Sequence, residues 1–410
     1  MPRLSAMLLI VLLSLPAVQT AAQADGVIRF EPTPDLTVYR SKHYRIFTNL
    51  SQRETVPFGR HMDALYEQYD KRFRMLGDQQ IERMPLYLFA TEQQYDRFLQ
   101  EYDIDASHSG GMFFVTHKLQ GLATWVDARS RRKTFEALQH EGFHQFAWYA
   151  IGPNLPVWLN EGLAQYFEHA VLDEDGRMSL GMTSRARIER VKAALNKGDA
   201  LPMIALMRVT NDQWANTLRR NPDKANLLYA QAWSLAYFLI HHNDGEHQPR
   251  LIDYLKRLGQ GDRPDDALLM AFGKDGLKPL ADDWRRFALN QQPDDVAEAS
   301  ERLAFLGTGL RLLAEQGEAM PEDLDALRET LQRYGFRLRR SEMGVTRNLS
   351  AGADELYRYN QASSERAFVL LDPDRPGLPP RIAAPGLSPE PTLVWYRDSD
   401  GKLVQDIAYD

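Results

Sequence analysis

The chain has 410 residues, 49 Lys and Arg against 56 Asp and Glu for a formal net charge of −7, and 44% apolar and 26% charged residues. That balance describes a folded globular protein of two or three domains and excludes a disordered tail, a collagen-like fibre and a multi-span membrane protein. Mild acidity offers no electrostatic footprint for nucleic acid. The absence of cysteine removes disulfides, thiol nucleophiles, Cys-rich zinc modules and iron–sulfur clusters.

Residues 1–24 combine a cationic Arg3, an apolar run from Met7 to Val18 and the small-x-small triplet Ala22-Gln23-Ala24. The pattern predicts a secretory signal peptide cut after Ala24, and the apolar run is too short to span a bilayer. An exported protein, periplasmic or extracellular, with no integral membrane span after cleavage is therefore expected. A strand is predicted at His43–Phe47, followed by a helix with Met62, Leu65, Tyr66, Tyr69, Phe73 and Leu76 on one stripe. Pro85–Phe89 reads as a strand, and Thr91 as the cap of a helix carrying Tyr95, Phe98 and Leu99. Two β-like stretches, Met112–Thr116 and Leu119–Val126, lead to the cationic run Arg129-Ser130-Arg131-Arg132-Lys133, expected to be a solvated turn.

Three helical patterns follow, Phe135–Ala150, Pro156 to about Val171, and Leu228–His241, punctuated by Gly152-Pro153, Pro156 and Asn243-Asp244-Gly245, with another helix at Leu251–Leu258. Strands first and helices afterwards predict an α+β fold: a small mixed sheet, then a helical half, then a smaller C-terminal α+β domain. The polar run Gln291–Asp295 divides a main domain, 25–295, from an accessory domain, 296–410. In the latter, helices are expected near Glu301–Glu315 and Pro321–Tyr334, and strands at Arg366–Leu371, Thr392–Tyr396 and Leu403–Ile407. Proline-rich 372–391 is expected to be loop rather than strand.

The sharpest chemical signal is His140-Glu141-Gly142-Phe143-His144 inside the first of those helices. Residues four apart share a helix face, so His140 and His144 can aim at one centre, and zinc suits two neutral imidazoles and an oxygen. Glu141 then lies beside the metal, where a metallohydrolase keeps its general base. A third ligand is offered by Glu161 in Trp158-Leu159-Asn160-Glu161-Gly162-Leu163-Ala164-Gln165-Tyr166-Phe167, because the Gly152-Pro153 break lets the two helices lie side by side. The bland alternatives are two solvent-facing histidines and a helix-start glutamate favoured by the macrodipole.

The pair H-E-G-F-H and N-E-G-L-A-Q-Y resembles the gluzincin clan of zinc metallopeptidases, in particular the peptidase-MA-like bacterial domains, over roughly Val38–Leu258. The resemblance implies a zincin-like fold, Zn2+ held by His140, His144 and Glu161, and Glu141 as catalytic base. It also implies a donor to the reaction oxyanion. Tyr229 is the candidate, with His241 and His242 as alternatives, and a core stripe with Trp233 and Ile240 as the plain structural reading of Tyr229. Leu119–Val126 is expected to be the edge strand that pairs with an extended substrate. Thermolysin-like relatives carry an acid four residues after the glutamate ligand to orient a ligand histidine; this chain has Gln165 there. The expected function is an exported zinc metallopeptidase acting on a peptide or protein substrate. The alternative is a noncatalytic zinc-containing binding or scaffolding module.

Overall fold

The computed structural model describes residues 36–73, 82–106, 109–127, 130–359, 367–398 and 400–410. The signal-peptide reading, Leu76, Arg129 and Arg366 lie outside the described residues.

The chain opens with strands β1 (Thr37–Arg40) and β2 (Tyr44–Thr48), helix α1 (Gln52–Phe73), strand β3 (Met84–Phe89), helix α2 (Glu92–Gln100) and strands β4 (Gly111–Val115) and β5 (Gln120–Trp125). They form one five-stranded sheet in the order β1-β2-β3-β5-β4, parallel at its centre and antiparallel at both outer strands. The sheet separates two cores by the two-residue period of its strands. Tyr44, Ile46, Leu86, Leu88 and Leu122 meet α1 on one face, whereas Phe47, Tyr87, Phe89, Met112, Phe114 and Ala123 meet Tyr95, Phe98 and Leu99 of α2 on the other. A centre buried on both faces explains why β3 reads as an unbroken apolar run. Thr91 caps α2 in a reciprocal capping box with Gln94, as the sequence predicts.

The helical half begins with α3 (Arg131–Ala150) and α4 (Val157–Glu168), then a two-residue ladder of β6 (Val171–Leu172) with β7 (Met178–Ser179). Next come α5 (Arg185–Lys197), α6 (Met203–Met207), α7 (Asn211–Arg220), α8 (Pro222–His241), α9 (Gln248–Gly259), α10 (Pro264–Phe272) and α11 (Leu277–Asn290). The C-terminal part holds α12 (Asp295–Glu315), α13 (Leu324–Arg333), the hairpin β8 (Arg337–Glu342) and β9 (Val345–Ser350), and strands β10 (Val369–Leu371), β11 (Arg381–Ala383), β12 (Pro391–Arg397) and β13 (Leu403–Tyr409). The last four form an antiparallel sheet in sequence order, over which α12 buries Leu303, Leu306 and Leu310 against Ile382 and Leu393. The architecture is α+β, as expected. The main core ends at Ala288 and the C-terminal core begins at Ala299.

Three local expectations are corrected. Arg131–Lys133 form the first turn of α3 rather than a loop turn, with Arg131 and Lys133 exposed as expected, and Arg132 pairs with Glu136 at 2.8 Å in the field of Asp406 and Tyr409 from β13. The proline-rich stretch does contain a strand: Arg381-Ile382-Ala383 lies between Pro380 and Pro385, and its proline-free backbone pairs with β10 and β12. Third, β5 is not an edge strand. Leu122, Ala123 and Thr124 are fully buried, and β5 runs between β3 and β4, so β4 is the outer strand. Among the described residues, no helix is long and apolar enough to cross a membrane.

Candidate metal centre

Both motif helices are buried almost all round, and buried amides tie α3 to its surroundings. The Gln145 amide donates to the carbonyl of Pro85 in β3 at 2.8 Å, Gln139 donates to that of Ala170, and the Tyr69 hydroxyl of α1 donates to that of Gln139 at 2.8 Å. The turn between the helices uses Gly152 at φ +101°, a left-handed conformation that glycine adopts without steric cost. The glycine in each motif marks a close helix approach. A Cβ on Gly142 would lie 2.9 Å from Met62 Cε of α1, and one on Gly162 only 2.5 Å from the carbonyl oxygen of Ala232 in α8.

This packing brings His140, His144 and Glu161 together, each at most 4% exposed. His140 Nε2 lies 3.4 Å and His144 Nε2 3.8 Å from Glu161 Oε2, and the two rings meet edge-on with centroids 4.8 Å apart. One donor atom from each of the three residues lies within 4.8 Å of the others. These atoms, the two Nε2 and Glu161 Oε2, have no hydrogen-bond partner although buried. Three buried polar atoms facing one point without a well-formed hydrogen bond are costly unless a cation occupies it. Their spacing matches the roughly 3.4 Å between ligands of a tetrahedral ion with bonds near 2.1 Å. The residues therefore fit a divalent metal.

The outer nitrogens of both rings are already committed. His140 Nδ1–H donates to Glu168 Oε2 at 3.2 Å, and His144 Nδ1–H to Asn160 Oδ1 at 2.9 Å. Each bond fixes the tautomer that turns the Nε2 lone pair inward. Arg187 Nη2 of α5 donates to the same Glu168 oxygen at 2.9 Å. Burial acts to raise the Glu168 pKa, but Arg187 and His140 more than reverse it and hold the carboxylate ionised. Burial likewise acts to lower the His140 pKa, yet Glu161 and Glu168 bring it up to about 10, so in the metal-free chain this ring holds a proton that a bound cation would displace to free the Nε2 lone pair. His144 is pushed well below its usual value by burial and by the charge of His140. The cluster thus favours positive charge at its centre.

Gln165 does not orient a ligand histidine: its backbone carbonyl accepts from Arg187 Nη1 at 3.5 Å, and its side-chain Oε1 has no hydrogen-bond partner. The orienting acid is Glu168, seven residues after Glu161 and so two turns along the same helix face. Asn160 was already inside the motif, next to Glu161. Arg187 gives no signal in the sequence, because only the packing of α5 carries it inward.

Glu141 is also buried, and burial raises its pKa to about 8. Its Oε2 accepts the backbone N–H of Phe113 in β4 at 2.7 Å. That N–H points outward from the sheet, so the outer strand turns its non-sheet edge toward Glu141, which occupies it at Phe113. Tyr229 lies on α8, 3% exposed, with the Trp214 ring edge-on at 5.1 Å, and its phenol feels the charges of Glu161 and Glu141. His241 and His242 lie about 18 Å farther along or just beyond the same helix. His241 Nε2 contacts the Tyr166 hydroxyl at 3.1 Å, and His242 stacks on His247.

No curated protein matches the chain. Residues 134–261, from the first full turn of α3 to just beyond α9, match a family described as "Protein of unknown function (DUF1570)". The matched segment contains both metal motifs.

Proposed function

We propose that this protein is an exported zinc metallopeptidase of gluzincin type, with His140, His144 and Glu161 as ligands and Glu141 as general base. The observation that carries the proposal is the convergence of three buried donor atoms without hydrogen bonds beside a second buried carboxylate, that of Glu141. When bound, zinc supplies Lewis acidity and makes water easier to deprotonate. Glu141 takes the proton from the attacking water and passes it to the departing amine. Glu168 and Asn160 hold the histidine rings, and burial excludes bulk water, which strengthens each charge interaction. A peptide adding to the outer edge of β4 would run past Glu141 in extended form, bound by main-chain hydrogen bonds. Tyr229 is the proposed oxyanion donor, being the phenol on α8 within the field of Glu161. Export rests on residues 1–24.

Replacing Glu141 with Gln should leave the metal content unchanged and abolish cleavage of casein or a peptide library; unchanged turnover overturns the proposal. A second reading, a noncatalytic zinc-containing binding or scaffolding module, is favoured by the burial of Glu141 at 1% exposure. Zinc uptake by wild type with no cleavage across the library would select it.

A further inference from the structure

Beyond the α3–α4 centre, α8 ends in a turn that gathers a second set of donors. Asn243, Asp244 and Gly245 take φ values of 46°, 54° and 88°, so the chain folds back sharply at the helix end. The turn returns Glu246 and His247 to His242, and the Glu246 N–H donates to the carbonyl of His242 at 3.0 Å. The imidazoles of His242 and His247 lie nearly parallel, 11° apart, with centroids 5.6 Å apart. Phe238 packs against both rings at 4.8 and 4.9 Å, and Phe287 of α11 meets His242 edge-on at 5.7 Å. One donor atom each from His242, Glu246 and His247 lies within 4.8 Å of the others.

His247 is the independent observation. It is 96% buried, the complement of its 4% exposure, and neither ring nitrogen has a hydrogen-bond partner. A buried imidazole without partners is destabilising unless something outside the chain satisfies it. Glu246 is exposed, with Oε2 accepting from Asn243 Nδ2 at 2.9 Å, which leaves its other oxygen open. We infer that His242, Glu246 and His247 form a second site for a borderline divalent cation such as Zn2+, closing the end of α8 onto the start of α9.

The donor set decides the class of ion. Two imidazoles and one carboxylate suit Zn2+, Ni2+ and Cu2+ over Mg2+ or Ca2+, which prefer all-oxygen shells. Besides Glu246 and His242 themselves, the charges nearest His247 are Arg250 and Asp283, of opposite sign. With Glu246 at the surface, whereas all three donors of the α3–α4 centre are buried, this site is the weaker of the two and exchanges its ion with solvent.

The test uses the full mature chain, stripped with chelator and titrated with Zn2+ and Co2+, following stoichiometry by calorimetry and cobalt absorption. Wild type should take two equivalents. Glu246→Gln, an exposed change that does not threaten folding, should weaken the second by at least the tenfold to hundredfold typical of outer-shell partners, and His242→Gln with His247→Gln should abolish it. His140→Ala with His144→Ala should remove the first equivalent and leave the second, so failure at one site is distinguishable from failure at the other. A second equivalent of undiminished affinity in Glu246→Gln and in the double-glutamine variant, or only one equivalent in wild type that the His140/His144 changes remove, overturns the inference.

Discussion

One oxygen of Glu168 is shared between His140 Nδ1 at 3.2 Å and Arg187 Nη2 at 2.9 Å, so a residue of α5 controls the charge of the group that orients a candidate metal ligand. Glu168→Gln should lower zinc affinity by about tenfold to a hundredfold. Because Arg187 is 3% exposed, stripping it of its anion should also cost about 3 kcal/mol of stability, the low end for breaking a buried ion pair. Chelator competition and urea unfolding of the metal-free protein measure the two effects separately. Unchanged affinity would mean that Glu168 is merely a structural ion-pair partner.

The two motif glycines should respond differently to alanine. Gly162→Ala puts its methyl 2.5 Å from a backbone oxygen of α8, which cannot step aside. We expect a loss of about 3 kcal/mol, the upper range for overpacking. Gly142→Ala meets the tip of Met62, a flexible side chain, and gains helix propensity of about 1 kcal/mol, so its net effect should be near zero. Thermal unfolding of both variants checks the order; equal losses would contradict it.

His61 of α1 packs against the Phe135 ring at 4.3 Å, tilted by 32°, and burial lowers its pKa from 6.5 to about 4. Above pH 6.5 the ring is neutral in both folded and unfolded chains and stability is unaffected. Between pH 6.5 and 4 the unfolded chain takes up a proton that the fold refuses, so stability falls with pH, by about 3 kcal/mol in all. Below pH 4 the loss stops growing. The difference in unfolding free energy between His61→Leu and wild type should therefore shift in favour of the variant by that amount from pH 7 to pH 4; a constant difference would show that His61 does not titrate in this window.

Asp294 joins the two cores. Its Oδ1 caps α12 through the Ala297 N–H at 2.7 Å, while its Oδ2 accepts from the N–H and hydroxyl of Thr183 at 2.6 and 2.7 Å. Asp294→Ala should cost about 2 kcal/mol, combining a lost cap with two lost hydrogen bonds. It should also speed proteolytic cutting in 291–294, read by limited digestion and mass spectrometry. An unchanged digestion rate would mean that the ion pairs of Arg185 in α5 with Glu298 and Glu301 in α12 suffice to hold this junction.

Periodicity and punctuation made most elements legible. The apolar stripe of α1, the cap at Thr91 and the Gly152-Pro153 break are local signals, carried by residues a few positions apart, and each reappears in the fold. Strand order was less legible, since Leu119–Val126 and Met112–Thr116 have the same β character and only pairing determines which is outermost. The fully buried Leu122, Ala123 and Thr124 put β5 inside and leave β4 to face Glu141.

By itself the sequence determined that His140 and His144 share a helix face and that Glu161 can swing round to meet them, because both facts follow from helix geometry and one chain break. It also determined the α+β order and the absence of thiol chemistry. Only the tertiary structure decided what holds those ligands. Glu168 rather than Gln165 bonds His140, Arg187 arrives from a helix with no motif, and His242 and His247 come together across a left-handed turn. Each depends on side chains from separate elements meeting in a buried space, where an unpaired charge or lone pair is costly, and no local pattern encodes that meeting.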